Sequence, residues 1–407
     1  MKYIILIGDG MSDLPLERLG GKTPLEHAAT PNMDRIAGAG SYGLFATVPE
    51  GYKPGSDVCN LSIFGYAPAK YYTGRAPLEA ASIGVKLNGT DTAFRCNLVT
   101  LSEGEPAVMN DYSAGHITTE EASDIIATLD SECEGLGVRF YPGTSYRHLM
   151  VWENAPGGLY EKLKTTPPHD ISDKEVAPYL PSGEGAEKLR ELMELSRRVL
   201  AGHPVNQERK ARGQNPATSI WLWGQGVAPS MPGIKERFGL TGGIISAVDL
   251  MKGIGVYTGL EVINVDGATG YIDTNYEGKV EAALKALEDK DLVCVHVEAP
   301  DEAGHQGSLP DKLKAIEDFD SKVVGKVLAG LEGQDFKVLV ITDHPTPVEL
   351  KTHTSDPVPF AISASGELAG GEGGSKKFSE SGGAHSGLLV DDCSAFIDGF
   401  LSYEPAP

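Results

Sequence analysis

The sequence predicts an α/β protein with a doubly wound, mostly parallel sheet and a smaller inserted α/β domain. Three short apolar runs support this prediction, at residues 3–7, 292–297 and 338–341. They are apolar along almost their whole length instead of alternating, which is typical of strands buried on both faces of a parallel sheet. Helical patterns at residues 276–287 and 313–331 precede the second and the third run. This alternation of strand and helix indicates the doubly wound layout.

A long insertion is predicted from the spacing of these runs. The first run lies at the start of the sequence and the next two lie beyond residue 290, so the chain between them must leave the sheet and return. A length of 407 residues also exceeds the size at which a single core usually stops growing. We predict a core made of residues 1–80 and 271–407 and an inserted domain made of residues 81–270. Within the insert, residues 184–201 have the amphipathic pattern of a helix.

A stretch rich in glycine and serine, residues 366–383, predicts a loop and not a cradle for phosphate. The sequence contains neither a strand-GxGxxG-helix unit nor a Walker lysine motif, so we expect no nucleotide cofactor. His385, in a Gly-Ala-His-Ser context next to this stretch, could be a loop residue or could approach a functional site.

Composition argues against several classes of partner. A formal net charge of −22 at pH 7 disfavours nucleic acid and anionic membrane surfaces, so an anionic substrate would need a local basic pocket. The five cysteines are scattered without a CxxC pair, which disfavours a disulfide framework and favours a reducing, cytoplasmic location. The first apolar run is too short for a signal peptide or a membrane span. The oligomeric state is left open by the sequence.

An aspartate closely follows each of the three apolar runs. These residues are Asp9, Asp301 and Asp343. Ligands of open parallel sheets bind at the carboxyl ends of the strands, so the three side chains are expected to meet in one crevice. Because adjacent carboxylates repel one another, such a crevice requires cations.

Histidines occur beside two of these aspartates at metal-ligand spacing. His305 lies four residues after Asp301, His344 directly follows Asp343, and His353 is close in the chain. Carboxylate and imidazole ligands without thiolate suit manganese, zinc or magnesium, and a pair of such ions can clamp a phosphoryl group during transfer. Taken singly, each aspartate could cap a helix and each histidine could be a half-buried side chain. Taken together, they favour a site for two divalent metal ions.

Ser56 is a candidate nucleophile for such a site. It lies in the segment Lys-Pro-Gly-Ser-Asp at residues 53–57, where a helix could begin after a turn and attract an anion to its N-terminus. Metal coordination can activate a serine hydroxyl for attack on phosphorus. On sequence alone, a role as a turn or N-cap residue is equally compatible with this position.

Several motifs together identify a resemblance to a known superfamily. They are Ile-Gly-Asp-Gly-Met at residues 7–11, Thr-Pro-Asn-Met-Asp at 30–34, Pro-Gly-Ser-Asp-Val at 54–58, Asp-x-x-Gly-His at 301–305 and Thr-Asp-His at 342–344. This set resembles the alkaline phosphatase superfamily. More narrowly, the chain resembles the archaeal-type cofactor-independent phosphoglycerate mutases nearly from end to end, including the segments at residues 61–66 and 71–79.

The resemblance implies an alkaline phosphatase-like core, an insert that binds the substrate and closes over it, and a reaction. In that reaction, phosphoglycerate mutases interconvert 3-phosphoglycerate and 2-phosphoglycerate in glycolysis and gluconeogenesis through a phosphoserine, here on Ser56. Neither 2,3-bisphosphoglycerate nor a nucleotide is implied as a cofactor. The implied metal ligands are Asp301, His305 and His353 for one ion, and Asp9, Ser56, Asp343 and His344 for the other.

The resemblance also implies residues that bind a small anionic, phosphorylated substrate. These candidates are Asp57, Arg95, His116, Arg139, Arg147 and His148. On spacing alone, Arg139 and Arg147 could equally be solvated surface arginines. One departure concerns residues 221–226, which read Trp-Leu-Trp-Gly-Gln-Gly where the family usually has an arginine in a Leu-Arg-Gly context.

A binding cation could therefore be absent, and the substrate could differ. The main alternative is a homoserine kinase-like phosphotransferase that uses the same phosphoserine on Ser56. A simple phosphatase, in which water reaches the phosphoserine, and a metal-binding protein without turnover are further alternatives. The sequence does not decide between a mutase and a homoserine kinase-like enzyme.

Overall fold

The computed structural model describes residues 1–369 and 376–405 of the chain. These residues form two compact units. One consists of Met1–Tyr72 together with the described residues from Ser230 onward, and the other consists of Thr73–Pro229. We call the first unit the core and the second unit the insert.

Strands and helices alternate through both units. The strands are β1 (Lys2–Gly8), β2 (Ser41–Phe45), β3 (Thr92–Leu101), β4 (Met109–Asp111), β5 (Val138–Tyr141), β6 (Arg147–Trp152), β7 (Leu163–Lys164), β8 (Ser182–Gly183), β9 (Ser219–Gly226), β10 (Gly242–Ile245), β11 (Glu261–Val262), β12 (Leu292–Val297), β13 (Phe336–Ile341), β14 (Val358–Ala364) and β15 (Leu389–Val390). The α-helices are α1 (Pro24–His27), α2 (Pro31–Ala39), α3 (Ser56–Ile63), α4 (Pro68–Tyr71), α5 (Arg75–Ser82), α6 (Thr119–Glu132), α7 (Leu159–Lys162), α8 (Ala186–Ala201), α9 (Pro204–Ala211), α10 (Ile234–Phe238), α11 (Asp249–Tyr257), α12 (Tyr276–Asp289), α13 (Ala299–Gln306), α14 (Leu309–Asp318), α15 (Gly325–Gly330), α16 (Ser365–Ala369), α17 (Glu380–His385) and α18 (Cys393–Ser402). Short 3-10 turns occupy Glu17–Leu19, Pro168–Ile171 and Ala177–Tyr179, and a π-helical turn occupies Phe319–Val324.

The core contains an eight-stranded sheet in the order β11-β10-β12-β1-β13-β14-β2-β15. The three predicted apolar runs are β1, β12 and β13, and β1 pairs in parallel with both of the others. Only β14 runs antiparallel to its neighbours, β13 and β2, among the pairings of this sheet in the described residues. The predicted α/β fold with a mostly parallel sheet is therefore confirmed.

The centre of this sheet is deeply buried. Residues 4–7 of β1 and residues 338–341 of β13 are inaccessible to solvent. Each buried Ile, Leu or Val side chain of this kind contributes roughly 1.5–3 kcal/mol relative to its exposed state. The strands that precede Asp9 and Asp343 are thus fully buried along these residues.

The helices predicted around these strands are also present. The pattern at residues 276–287 corresponds to α12, where the Asn275 side chain accepts a hydrogen bond from Gly278 N at 2.9 Å and caps the first turn. The pattern at residues 313–331 corresponds to α14, the π-helical turn and α15, which follow one another without a break.

The core extends further along the chain than predicted. Residues 230–270 were assigned to the insert, but β10 pairs in parallel with β12 inside the core sheet, and β11 pairs with β10. The apolar run of β10 spans only four residues, too few to stand out as a buried strand in the sequence. At the other boundary, the insert begins at Thr73 instead of residue 81, because Ala76 and Ala80 of α5 pack against β3 and β6.

The insert is built on an antiparallel sheet. Strand β3 pairs with β4, β6 and β9, and β6 also pairs with β5. The predicted helix at residues 184–201 is α8. Its buried residues Leu189, Leu192 and Met193 join the hydrophobic cluster that includes Phe94 and Trp221 of the sheet.

Two further predictions concern loops and membranes. Residues 370–375 of the predicted loop at 366–383 lie outside the described residues, while α16 and α17 overlap its two ends, where the loop prediction is wrong. All five cysteines are free, as expected. Within the ranges that the structure describes, no helix combines the length and the apolar composition needed to cross a membrane.

Candidate metal centre and substrate-binding residues

The three predicted aspartates meet at the carboxyl ends of the core strands. Asp9 directly follows β1, Asp301 lies in the first turn of α13 after β12, and Asp343 follows β13 by two residues. All three are buried. One potential ligand atom from each of Asp9, Asp301 and Glu298 lies within 4.8 Å of the others, and the same holds for Asp9, Asp343 and His296. Asp9 therefore lies close to both Asp301 and Asp343, as expected for residues at the ends of neighbouring parallel strands.

The loop after β1 reaches this crevice because residue 10 is a glycine. Gly10 has φ of 62°, a left-handed conformation that side chains rarely adopt. A Cβ atom here would lie 2.6 Å from Thr346 Oγ1 and 2.7 Å from the Cα of Asp301. The Gly10 amide donates to Asp343 Oδ1 at 3.1 Å. Close approach of the backbone thus helps to bring Asp343 to the carboxylates of the other strands.

A buried lysine ties the loops that follow β1 and β13. Lys312 Nζ, on α14, donates to Asp13 Oδ2 at 2.8 Å, to the Ser12 carbonyl at 3.1 Å and to the Thr346 carbonyl at 2.7 Å. Both charged side chains of the Lys312–Asp13 pair are inaccessible to solvent. Removing either Lys312 or Asp13 would leave the other charge buried and unpaired, which is costly. Because Lys312 also contacts the Thr346 carbonyl, the intact pair holds the two loops together.

Asp301, His305 and His353 form one group of candidate ligands. His305 Nε2 lies 3.3 Å from Asp301 Oδ2, and His353 Nε2 lies 3.3 Å from Asp301 Oδ1. The two imidazole Nε2 atoms are 2.9 Å apart. Burial acts to raise the pKa of Asp301, but the hydrogen bonds with His305 and His353 hold that pKa well below its usual value. The hydrogen bond with Asp301 raises the pKa of His305 to about 9.

Asp9, Asp343, His344 and Ser56 form a second group. His344 Nε2 lies 3.2 Å from Ser56 Oγ, 3.4 Å from Asp9 Oδ1 and 3.5 Å from Asp343 Oδ2. Asp9 Oδ1 is buried and has no hydrogen-bond partner among the described residues. Burial, followed by the nearby carboxylates of Asp343, Asp301 and Glu298, raises the pKa of Asp9 well above its usual value. A carboxylate oxygen that is buried without a donor fits a bound cation.

Ser56 begins a helix, as the sequence indicated. It is the first residue of α3, an eight-residue helix whose N-terminal amides favour an anion. One turn later, Asn60 Nδ2 donates to the Ser56 carbonyl and to Asp343 Oδ2, both at 2.9 Å. The same amide group thereby links the candidate nucleophile to a candidate metal ligand.

Two residues of the crevice, His296 and Glu298, were missed in the sequence. His296 is fully buried in β12, and its Nε2 lies 3.0 Å from Asp9 Oδ2. Burial lowers the pKa of His296 to about 4, so the imidazole is neutral at physiological pH. The available signal was a single polar residue inside an otherwise apolar strand. Glu298 follows that strand directly and shares the Asp9 and Asp301 group.

Arg95 and Arg147 belong to a basic cluster in the insert. Arg95 Nε and Arg75 Nε donate to the two carboxylate oxygens of Glu79 at 2.9 and 3.0 Å. Burial acts to raise the pKa of Glu79, but the positive charges of Arg95 and Arg75, followed by that of Arg147, lower it overall. Three guanidinium groups therefore act on the Glu79 carboxylate. Arg75, on α5, was not named as a substrate-binding residue, although it lies in the segment at residues 71–79 that carries part of the resemblance.

The segment at residues 221–226, where the resemblance suggested a missing arginine, is most of β9. Trp221 is buried and donates to the Thr166 carbonyl at 2.8 Å. The Arg95 guanidinium lies 4.1 Å from the Trp223 ring centroid, and Trp223 Nε1 donates to Asn97 Oδ1 at 3.0 Å. Trp223 therefore supports the basic cluster through a cation–π contact.

His169 also packs against this tryptophan. The two ring centroids are 5.4 Å apart. Burial and then the surrounding charges, including Arg95, Arg75 and Arg147, shift the pKa of His169 downward overall. His169 was not predicted either, and no local sequence signal marks it.

Two other predicted substrate residues of the insert have different surroundings. Arg139 forms a bidentate pair with Asp130, with both N–O distances at 3.1 Å, and its side chain is about half exposed. His148 is buried, and its Nδ1 accepts a hydrogen bond from Gly143 N at 3.0 Å while its Nε2 has no partner among the described residues. Burial lowers the pKa of His148 to about 3.

The remaining candidates are His116, Asp57 and His385. His116 has φ of 47° and packs edge-on against Tyr146 with ring centroids 6.0 Å apart. Asp57 lies in the core beside Ser56, and its Oδ2 accepts a hydrogen bond from the Tyr72 hydroxyl. His385 is exposed at the end of α17 instead of in a loop.

Comparisons with known proteins identify the family. The family described as 2,3-bisphosphoglycerate-independent phosphoglycerate mutase matches residues 37–206. A Geobacter sulfurreducens protein named as a probable member is 57% identical over 394 residues, which are 96% of this chain and 97% of that protein. A Methanosarcina acetivorans protein with the same family name is 59% identical over 364 residues, 89% of this chain and 90% of that protein.

Solved structures agree with this assignment. A protein from Pyrococcus horikoshii has a TM-score of 0.81 and 29% identity, covering 98% of this chain and 96% of its own. The cofactor-independent phosphoglycerate mutase from Thermoplasma acidophilum has a TM-score of 0.64 and 25% identity, covering 98% and 99%. The chain belongs to the 2,3-bisphosphoglycerate-independent phosphoglycerate mutase family.

Proposed function

We propose that this chain is an isomerase that interconverts 3-phosphoglycerate and 2-phosphoglycerate without 2,3-bisphosphoglycerate, as part of glycolysis and gluconeogenesis. The observation that carries this proposal is the 57% identity, over 96% of the chain, with a relative named for that activity. The buried carboxylate and imidazole groups of the core supply the chemistry that such a reaction requires. The relatives' names lend no support to the homoserine kinase alternative.

The residues of the core fit two divalent metal ions. Asp301, His305 and His353 would hold one ion, and Asp9, Ser56, Asp343 and His344 would hold the other. The partnerless Asp9 Oδ1 and the 2.9 Å separation of the His305 and His353 Nε2 atoms support this assignment. When bound, the ions would neutralise phosphoryl oxygens and acidify the serine hydroxyl. The oxygen and nitrogen ligands are compatible with manganese, zinc or magnesium.

Ser56 is proposed as the catalytic nucleophile. Its Oγ attacks the phosphorus of 3-phosphoglycerate, the bond between phosphorus and the substrate O3 breaks, the serine loses its proton and O3 gains one. The glycerate then reorients, and its 2-hydroxyl attacks the phosphoserine. The bond from phosphorus to Ser56 Oγ breaks, and the proton balance of the first step is reversed. The N-terminal amides of α3 favour the phosphoryl charge at residue 56 throughout.

The insert is proposed as the substrate-binding and closing domain. Its role would be to retain glycerate while water is excluded, since water would hydrolyse the phosphoserine. The proposed substrate-binding residues are Asp57, Arg95, His116, Arg139, Arg147 and His148. Of these, Arg95 and Arg147 have the strongest support, because their positive charges and that of Arg75 all act on the Glu79 carboxylate, which places the three guanidinium groups near one another. Guanidinium groups bind carboxylate and phosphate oxygens in a bidentate manner.

A coupled assay tests the function. With 3-phosphoglycerate as substrate, purified enzyme and added enolase should form phosphoenolpyruvate at a rate that does not depend on 2,3-bisphosphoglycerate. Parallel reactions should contain homoserine with candidate phosphoryl donors, and 3-phosphoglycerate without enolase to detect free phosphate. Formation of phosphohomoserine, or release of phosphate without 2-phosphoglycerate, would refute the proposed activity.

A substitution of Arg147 tests the basic cluster. Arg147→Met removes an exposed guanidinium and leaves the Arg95–Glu79 pair intact, so the fold should be retained. Because hydrogen bonds to charged groups contribute about 1.5–3 kcal/mol, kcat/KM should fall about 10- to 100-fold. Most of this loss is expected in KM. Arg197→Met, on the surface of α8 where Arg197 pairs with Glu194, is a matched control. Equal kinetics for the two variants would exclude Arg147 from substrate binding.

A further inference from the structure

We infer that His296 is a positioning residue that orients the Asp9 carboxylate toward a bound cation. The inference deepens the proposed function, because it rests on the metal centre proposed above. His296 is fully buried and contacts Asp9, but it belongs to neither proposed set of metal ligands. A buried series of hydrogen bonds runs from Ser246 through His296 to Asp9, and this series carries the inference.

The backbone places these three residues at the same end of the core sheet. In the parallel register, Ile7 of β1 lies opposite His296 of β12, and the Asp9 amide donates to the Val297 carbonyl at 2.9 Å. Ser246 directly follows β10, the neighbour of β12 on its other side. Asp9, His296 and Ser246 are all buried. The side chains therefore meet across three adjacent strands.

The hydrogen bonds of this series have one consistent assignment of protons. His296 Nε2 lies 3.0 Å from Asp9 Oδ2, and an ionised carboxylate, the form that binds a cation, can only accept, so Nε2 carries the proton in that state. The unprotonated Nδ1 then accepts from Ser246 Oγ, 3.1 Å away. The Val248 amide donates to the same Ser246 Oγ at 3.0 Å. The polar side-chain atoms of His296 and Ser246 are all satisfied in this arrangement.

The arrangement leaves the two oxygens of Asp9 in different states. Oδ2 is held by His296, whereas Oδ1 is buried without a hydrogen-bond donor. With one oxygen and the backbone amide fixed, the carboxylate cannot rotate to exchange its oxygens without losing the bond to His296. The lone pairs of Oδ1 consequently remain available to a cation bound near His344 Nε2, which lies 3.4 Å from Asp9 Oδ1 and 3.5 Å from Asp343 Oδ2.

Direct coordination by His296 is the competing arrangement. A ligand atom of His296 lies within 4.8 Å of ligand atoms of Asp9 and Asp343. If Nε2 bound a cation, Nδ1 would carry the proton and would have to donate to Ser246 Oγ. The Ser246 hydroxyl proton would then have no acceptor among the described residues, and an unsatisfied buried hydroxyl is costly. The hydrogen-bond geometry favours positioning over coordination.

Titration of metal-free protein with Mn²⁺, followed by calorimetry, tests the inference without reference to activity. His296→Phe removes the donor while nearly preserving volume, and one class of site should bind Mn²⁺ about 10- to 100-fold more weakly. His296→Gln places an amide donor near the position of Nε2 but supplies a poor ligand, and its affinity should stay within about fivefold of the wild type. Ser246→Ala removes the partner of Nδ1 and should weaken the same site by a smaller factor.

A buried histidine of the insert provides the control. His203→Gln, in the insert, alters a histidine that contacts Thr128 and should leave Mn²⁺ binding unchanged. Equal, large losses in His296→Gln and His296→Phe would identify His296 as a direct ligand and overturn the inference. Unchanged affinity in His296→Phe, or in Ser246→Ala if the phenylalanine variant does not fold, would overturn it as well. Absence of Mn²⁺ binding by the wild-type protein would reject the metal centre itself.

Discussion

Ser56→Ala is expected to abolish phosphoglycerate mutase activity, with a loss on the order of 10³-fold or more, because it removes the atom that accepts the phosphoryl group. The proposed metal ligands Asp9, Asp343 and His344 remain, so the variant should still fold and bind substrate. Asn60 also retains both of its acceptors, the backbone carbonyl of residue 56 and Asp343 Oδ2. The expected defect is therefore in kcat more than in KM.

Detection of the phosphorylated residue provides the second readout. Wild-type enzyme mixed with substrate should carry a phosphate adduct in the peptide covering residues 54–60, and Ser56→Ala should carry none. Two successive in-line displacements should also retain configuration at phosphorus. Ser62→Ala, on the same helix, is a matched control, since Ser62 is buried and donates to the Val58 carbonyl. Near-normal turnover by Ser56→Ala, or inversion at phosphorus, would contradict the covalent route.

Removal of the metal ions is expected to produce a loss of comparable size. Extensive chelation should abolish turnover, and readdition of a divalent ion should restore it. Asp301→Ala and His353→Ala should each lower the bound metal by about one ion and the rate by far more than tenfold, since both remove a contact from the group that includes His305. Metal content measured by mass spectrometry on gel-filtered protein checks the first expectation.

A surface histidine separates this effect from general damage. His27→Ala changes an exposed residue at the end of α1 and should preserve both metal content and rate. Full activity in thoroughly chelated wild-type enzyme would refute a metal-dependent mechanism. Normal metal content in both Asp301→Ala and His353→Ala would refute the proposed ligand set.

The core crevice could be predicted because its main residues follow strands that have a strong sequence signal. Asp9, Asp301 and Asp343 each come soon after a buried apolar run, and parallel strands necessarily bring those ends together. His296 escaped prediction because it lies inside such a run, where one imidazole scarcely changes the apolar pattern. Its contact with Asp9 depends on the register between β1 and β12, which the sequence does not specify.

The basic cluster of the insert was predicted only in part. Arg95 and Arg147 were candidates by resemblance. Arg75 was not chosen, although it lies in the segment at residues 71–79 that contributes to the resemblance, and no local pattern marks His169. Their proximity depends on the packing of α5 against β3 and on the antiparallel pairing of β3 with β6. The boundary of the insert was misplaced for a related reason. Strand β10 is recognisable only through its pairing with β12, not through its four residues.

The position of β1 between β12 and β13 has a consequence for biosynthesis. Both neighbours of β1 belong to the last third of the chain, the nearer beginning at Leu292, so β1 is synthesised long before either of them. At translation rates of about 5–20 residues per second, β1 waits on the order of tens of seconds for its first partner. During that interval Thr73–Pro229 is synthesised in full, while the apolar β1 remains without its partner strands. An unpaired apolar segment is exposed to aggregation, which contact with a chaperone during synthesis would limit.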